Sequence, residues 1–144
     1  MKIFILLILL SISIDVHAKE IGKIKNVNGN AHITRNGTDI KIYKGFHLEE
    51  SDIIITKQHS SIGIIFTDNS IMSIGPSSKV MLVYYDFNVE NKTYGMITKI
   101  YKGTLIYLSG FIAKVSPDAI KFKTPASVAG IKGTKIAISV DRSI

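Results

Sequence analysis

The stretch SIGIIFTDNSIMSIGP, residues 61–76, decides the fold class. Before its turn, apolar residues stand at every second position: Ile62, Ile64 and Phe66. This two-residue period is typical of a strand with one buried face. Asp68-Asn69 then predicts a turn, which leads into a second strand at 71–74. Gly75-Pro76 ends that strand, because proline has no N–H to donate to a neighbouring strand.

The same period recurs along the chain, whereas helical spacing is nearly absent. The other strands are predicted at 21–27, 31–33, 40–42, 52–56, 80–87, 96–108 (one or two strands, with a break at Lys102-Gly103), 111–115, 120–122 and 135–140. Asn28-Gly29 predicts a type I′ hairpin and Asn36-Gly37 a second turn, so that the first three strands form a meander. About ten short strands, with turn signals roughly every 8–12 residues, predict an all-β, single-domain antiparallel sandwich or barrel-like fold.

The N-terminus is typical of an export signal. Lys2 precedes an apolar run over residues 3–14, and Val16-His17-Ala18 places small residues where a signal peptidase cleaves. The run is shorter than the roughly 20 residues that span a bilayer. We therefore predict a signal peptide at 1–18, cleavage after Ala18, a β domain at 19–144 without a transmembrane segment, and a periplasmic or secreted protein.

Composition narrows the possible chemistry. The chain has no cysteine, which excludes disulfides, thiolate metal sites, cysteine nucleophiles and a lipoprotein anchor. Its formal net charge of +7 makes an anionic neighbour plausible. However, the lysines are spread from Lys19 to Lys135 with no block of five, which favours a scattered basic surface that only aids solubility.

The glycine-rich stretch TPASVAGIKGTKIAISV, residues 124–140, is the strongest candidate for a ligand loop. A phosphate-binding loop needs four residues between its glycines and a helix after it, but Gly130 and Gly133 are separated by two residues and a predicted strand follows. A G-x-x-G nucleic-acid clamp joins two helices, and neither flank is helical here. We therefore predict neither a phosphate loop nor a nucleic-acid site.

No pattern in the sequence demands catalysis. His47-Leu48-Glu49-Glu50 would place a histidine and a carboxylate on one face only in a helix. A helix is not expected here, because Gly45 precedes these residues and a predicted strand follows at 52–56. Asp52, Asp68 and Asp86 are explained equally well by turns and strand ends. No serine lies in a G-x-S-x-G elbow. We predict a protein that is not an enzyme and that has no cofactor or metal.

A series of turn motifs has a family-specific order. The motifs are Gly45-x-x-Leu48, Asp52-x-Ile54-x-Thr56, Ser61-x-Gly63-x-Ile65-Phe66-x-Asp68-x-Ser70, Pro76-x-Ser78, Gly103-Thr104-Leu105, Ser109-Gly110, Thr124-Pro125-Ala126 and Gly130-Ile131-Lys132-Gly133-Thr134. This order resembles the FecR domain, named after the periplasmic regulator of iron-dicitrate transport, and it covers nearly all of residues 22–140. The sequence departs from the family pattern where Asn69 and Lys57 replace frequent glycines and Lys132 replaces a common arginine.

The resemblance implies a free-standing exported FecR-like module, because the membrane helix of the family's signalling members is not evident after the signal peptide. We expect a non-catalytic binding module of the cell envelope, whose partner is a protein or an anionic envelope glycan. The alternative is an accessory sensor subunit that acts through a separate membrane protein. The resemblance implies that most matched residues determine the fold: Asp52, Thr56, Asp68, Thr124, Pro125, Gly130, Gly133 and Thr134. Lys132 and Lys135 are the candidate ligand contacts, and the oligomeric state stays open.

Overall fold

A computed structural model describes residues 13–14 and 17–141; most of the predicted signal peptide, 1–18, lies outside the described residues. The described chain is built from β-strands, as predicted. They are β1 (Glu20–Asn28), β2 (Ala31–Arg35), β3 (Thr38–Lys41), β4 (His47–Glu49), β5 (Ile53–Thr56), β6 (Ser61–Phe66), β7 (Ile71–Ile74), β8 (Lys79–Asn88), β9 (Thr93–Leu108), β10 (Ile120–Lys123), β11 (Val128–Gly130) and β12 (Lys135–Val140). One short helix, α1 (Phe111–Val115), and a 3₁₀ turn, Pro117–Ala119, lie between β9 and β10.

The strands form one curled sheet, in the order β3-β2-β5-β8-β9-β7-β6-β1-β4. The long strand β9 connects its two halves. Its first part pairs with β8 and, in parallel, with β10, whereas its last part pairs with β7 and β12. We call β4, β1, β6, β7, the end of β9 and β12 the first half-sheet, and β3, β2, β5, β8, the start of β9, β10 and β11 the second half-sheet.

The two half-sheets share one apolar core. Fully buried members of the second half-sheet include Ile33, Ile54, Val80, Ile100 and Phe122, and those of the first include Ile64, Met72, Leu105 and Tyr107. On β5 and β10, for example, these residues alternate with exposed or half-buried ones, as the two-residue period predicts. Because burial of apolar surface is the main stabilising term, this alternation fixes which face of every strand points outward.

The prediction of a hairpin at Asn28-Gly29 is wrong. β1 pairs with β4 and β6, whereas β2 pairs with β3 and β5, so the chain crosses between half-sheets at this turn. Gly29 does adopt a positive φ of 78°. Its neighbour Asn30 donates its backbone N–H to Ser60 Oγ at 2.8 Å, which holds the crossing against the loop before β6. The two turn residues at Asn36-Gly37, by contrast, do join paired strands.

Residues 111–115 were also predicted as a strand, and they form helix α1 instead. The backbone N–H of Phe111 donates to the carbonyl of Asp68 at 2.9 Å, and that of Ile112 donates to Asp68 Oδ2 at 3.1 Å. The buried aspartate thus satisfies the free N–H groups of the first helical turn. The strands β4 and β11 were not predicted, and β9 continues through Lys102-Gly103 with Gly103 at a φ of 97°.

Two glycines give a matched test of how tightly the chain is packed between the end of β9 and the start of α1. A Cβ at Gly110 would lie 2.9 Å from the carbonyl carbon of Asn69, and closer still to Ser70 N and Asp68 O. A Cβ at Gly130 would meet no atom within 4 Å. Gly110→Ala is therefore expected to lower the free energy of unfolding by about 1–3 kcal/mol, while Gly130→Ala leaves it nearly unchanged. Urea unfolding measures both; equal effects would mean that the close approach at Gly110 is wrong.

Candidate functional site

The motif residue Asp52 is fully buried beside β5. It accepts two hydrogen bonds from Arg35, from Nε at 2.8 Å and from Nη2 at 2.7 Å, and a third from the backbone N–H of Glu49 at 2.8 Å. The Arg35 guanidinium also lies 5.4 Å from the centre of the Phe46 ring. Asp52 therefore joins β2 to the turn between β4 and β5, and none of its surface faces solvent.

Thr56 and Asp68 are also buried and hydrogen-bonded to backbone. Thr56 Oγ1 donates to the carbonyl of Gly75 at 2.7 Å and accepts from the N–H of Ser78 at 3.0 Å. Asp68 Oδ1 accepts from the N–H of Ser70 at 3.0 Å and from its hydroxyl at 2.6 Å. These side chains close the turns on either side of β7, so each is placed where it stabilises the fold.

Two buried tyrosines surround Asp68. Tyr85 accepts a hydrogen bond from the Asp68 N–H at 3.0 Å, and burial raises the pKa of its hydroxyl well above the usual range. Burial likewise raises the pKa of Tyr107 to about 12. Both hydroxyls therefore remain protonated at neutral pH, and neither is suited to act as a general base there.

The glycine-rich stretch crosses from one half-sheet to the other. Thr124 begins a tight turn, in which its N–H donates to the carbonyl of Ser127 at 2.8 Å, and the exposed Pro125 follows it. After β11, Gly133 adopts a φ of 85°, and the carbonyl of Thr134 accepts from Ser109 N at 2.8 Å. Gly130 has open space around it. The next element is the strand β12, so no helix N-terminus is present to bind a phosphate.

The two lysines predicted to contact a ligand lie on this crossing. Lys132 and Lys135 are both exposed, and neither belongs to an ion pair within the described part of the chain. Neither lines the groove between β12 and residues 124–129. The structure does not bring them together with another group that would define a site.

A different set of lysines does converge, on the outer face of the second half-sheet. Lys123 of β10 pairs with Lys99 of β9, which in turn pairs with Met81 of β8. Lys121 pairs with Ile97 on the same face. We call the set Lys79, Lys99, Tyr101, Lys121 and Lys123 the lysine face.

Tyr101 organises the centre of the lysine face. The Nζ atoms of Lys79 and Lys99 lie 5.0 and 4.7 Å from the centre of its ring, which is within the range of cation–π attraction. None of the four lysines forms an ion pair with a described residue. Like charges on directly opposed residues, such as Lys99 and Lys123, reduce stability. The positive charges concentrated on this face create a potential that attracts anions.

A groove of about 930 Å³ opens beside the lysine face, between β12 and residues 124–129. Lys79, Tyr101 and Lys102 lie at this groove, and the side chains of β12 that face the core form part of its lining. The lysine face and the groove therefore adjoin each other.

Residues 13–14 and 17–141 contain no group of three histidine or carboxylate side chains that could hold a metal ion. Asp52 and Asp68 have separate partners, and His47 Nδ1 contacts Glu20 Oε2 at 3.1 Å on the surface. Across the same residues, no helix has the length and apolar character needed to cross a membrane. The expectation that the protein is not an enzyme stays a prediction.

The lysine face was missed in the sequence because its members are far apart along the chain. The alternations Lys121-Phe122-Lys123 and Lys99-Ile100-Tyr101 indicate which members share a face within one strand, but not that the two strands are neighbours. The pairing of β10 with β9, on which the cluster depends, leaves no sequence signal. Comparison with protein-family models, with curated proteins and with solved structures finds no match to this chain.

Proposed function

We propose that this protein is an exported, non-catalytic binding module of FecR-like type, which holds an anionic glycan of the cell envelope on its lysine face. The observation that carries the proposal is the concentration of four lysines without ion-pair partners among the described residues, around Tyr101. The FecR-like assignment is supported by Asp52, Thr56 and Asp68, three motif residues that are buried at turns.

A glycan suits this surface better than a folded protein. All the cations are lysines, whose flexible stems present point charges, whereas a site built for one fixed carboxylate geometry would favour arginine. The lysines also extend across β8, β9 and β10, and neighbouring strands are about 4.8 Å apart. Such spacing suits a polymer that repeats its acidic groups, and the half-buried Met81 and Ile97 between them offer an apolar surface to sugar rings.

The test compares polygalacturonate, a polyuronic acid chain, with its carboxyl-reduced form. The variant Lys99→Gln/Lys123→Gln is expected to weaken binding to the acidic polymer about five- to tenfold at low salt, if each lost contact contributes roughly 0.5 kcal/mol or more. The variant should have nearly the stability of the wild type, because it removes the like charges of Lys99 and Lys123 but also the cation–π contact of Lys99 with Tyr101, and the two effects are similar in size and opposite in sign. Isothermal titration calorimetry and urea unfolding measure the two quantities.

The matched control is Lys25→Gln/Lys44→Gln, which removes the same charge from exposed positions outside the lysine face. An equal loss of affinity in the control would show that net charge alone attracts the polymer. Equal binding of the carboxyl-reduced polymer would overturn the role of the lysines. Binding to an acidic protein fragment but not to the polyuronate would replace the glycan by a protein partner.

A further inference from the structure

Among the described strands, β12 forms an open sheet edge. It pairs with β9 over six residues without a register shift, from Lys135 opposite Leu108 to Val140 opposite Gly103. No other described strand pairs with it. Its second edge therefore presents backbone N–H and C=O groups that can pair with another strand.

The other edges of the described sheet are better protected than β12. β4 and β11 have three residues each, and β3 has four, with the charged Asp39 and Lys41 among them. Short strands, charges, prolines and bulges are the usual means of blocking an edge. Residues 136–140 of β12, IAISV, contain no charge and no proline, and the strand contains no bulge.

The side of β12 that faces the core is also incompletely covered. Ile136, Ile138 and Val140 pack against the core but stay half-exposed, and they line the groove. Their strand partners Tyr107 and Leu105 on β9 are fully buried. A further strand beside β12 would extend the first half-sheet and cover these three side chains.

The sequence of β12 is complementary to itself in antiparallel pairing. When Ile138 lies opposite its own copy, Ile136 faces Val140 and Ala137 faces Ser139. In the same register, Lys135 faces Asp141 at both ends of the paired segment. Apolar residues then meet on the core side and opposite charges meet at each end, both of which stabilise cross-strand pairs, while the small residues on the outer side meet without a clash.

We propose that β12 pairs antiparallel with β12 of a second copy, in a two-fold dimer whose axis passes through Ile138. This interface goes beyond the proposed glycan binding: it uses the free edge of β12, and the groove beside that edge borders the lysine face at Lys79 and Tyr101. A two-fold interface requires a patch that matches itself, which the register centred on Ile138 supplies. An unrelated strand would also gain the backbone hydrogen bonds, but it would not account for the match of Lys135 with Asp141 at both ends of the segment.

Disulfide trapping tests the register directly, since the chain contains no other cysteine. Ile138→Cys places two thiols on directly opposed residues, whose separation suits a disulfide. Val140→Cys is the matched control: it lies on the same face, but opposite Ile136 rather than its own copy. With oxidised glutathione, the full chain is expected to form a covalent dimer at position 138 and not at 140. Equal trapping at both positions, trapping at 140 alone, or none at either would overturn the proposal.

A charge-swap series tests the same register without changing any buried residue. Lys135 and Asp141 are both exposed. Lys135→Glu and Asp141→Lys should each raise the dimer dissociation constant about thirtyfold, because two attractive pairs become repulsive. The double variant, which keeps the net charge, should restore wild-type association. Lys25→Glu controls for net charge alone. Sedimentation velocity measures the series; a monomer at all concentrations, or a double variant weaker than either single one, would contradict the pairing.

Discussion

Arg35→Met is expected to lower the free energy of unfolding by about 3–5 kcal/mol, because it leaves a buried carboxylate without its counter-charge. Asp52 has no exposed surface, and it receives both the Nε and the Nη2 hydrogen bonds of Arg35. The hydrogen bond to Asp52 raises the pKa of Arg35 above its ordinary value, so the guanidinium carries its positive charge at neutral pH. Methionine keeps an unbranched apolar stem near Phe46 but removes the charge.

Two further variants show whether the loss comes from the orphaned charge. Arg35→Met/Asp52→Asn should regain part of the lost stability, because a neutral amide replaces the unpaired carboxylate. Glu20→Gln breaks the exposed contact with His47 and should cost less than about 1 kcal/mol. Urea unfolding monitored by circular dichroism gives all three values. If Arg35→Met cost no more than Glu20→Gln, Asp52 would not be the buried anchor described above.

Asp68→Asn is expected to lower the free energy of unfolding by about 2–4 kcal/mol, because one carboxylate oxygen is replaced by an N–H₂ group that faces donors. Oδ1 accepts from Ser70 at 2.6 and 3.0 Å, and Oδ2 accepts from the Ile112 N–H at 3.1 Å. An asparagine can accept on one side only, so one buried backbone N–H loses its partner. Asp68 also accepts hydrogen bonds from the first two N–H groups of α1. In the Asp68→Asn variant, the helix should therefore exchange its amide hydrogens faster than the neighbouring strands.

Asp118→Asn is the matched control for this prediction, since Asp118 is exposed in the 3₁₀ turn that follows α1. It makes the same chemical change and should alter the free energy of unfolding by less than about 0.5 kcal/mol. Hydrogen exchange and urea unfolding are measured for both variants. If Asp68→Asn and Asp118→Asn had equal effects, the role of Asp68 would be contradicted.

The two-residue period of the strands predicted the fold class, but it did not indicate which strands pair with each other. Asn28-Gly29 and Asn36-Gly37 carry the same turn signal, yet only the second joins paired strands. Both glycines adopt positive φ, but a type I′ turn requires positive φ at both of its central residues, and Asn36 has it whereas Asn28 does not. At the crossing after Asn28, the chain is held instead by a long-range contact between Asn30 and Ser60, which no local pattern encodes.

Helix α1 was not predicted from the sequence for a similar reason. Residues 111–115, FIAKV, form a short, mostly apolar run that fits a buried strand, and their helical start depends on Asp68, more than 40 residues earlier in the chain. The lysine face depends on the parallel pairing of β10 with β9, which is also a tertiary feature. Asp52, Thr56 and Asp68 are buried, and the expectation from the FecR resemblance that they determine the fold stays a prediction.

The most direct measurement of the central proposal is a titration of the ¹⁵N-labelled protein with polygalacturonate, followed by NMR. We predict saturable shifts of backbone amides in β8, the first part of β9 and β10, around Tyr101, with little change at residues 131–135. Shifts concentrated at Lys132 and Lys135, or spread evenly over all exposed lysines, would contradict binding on the lysine face.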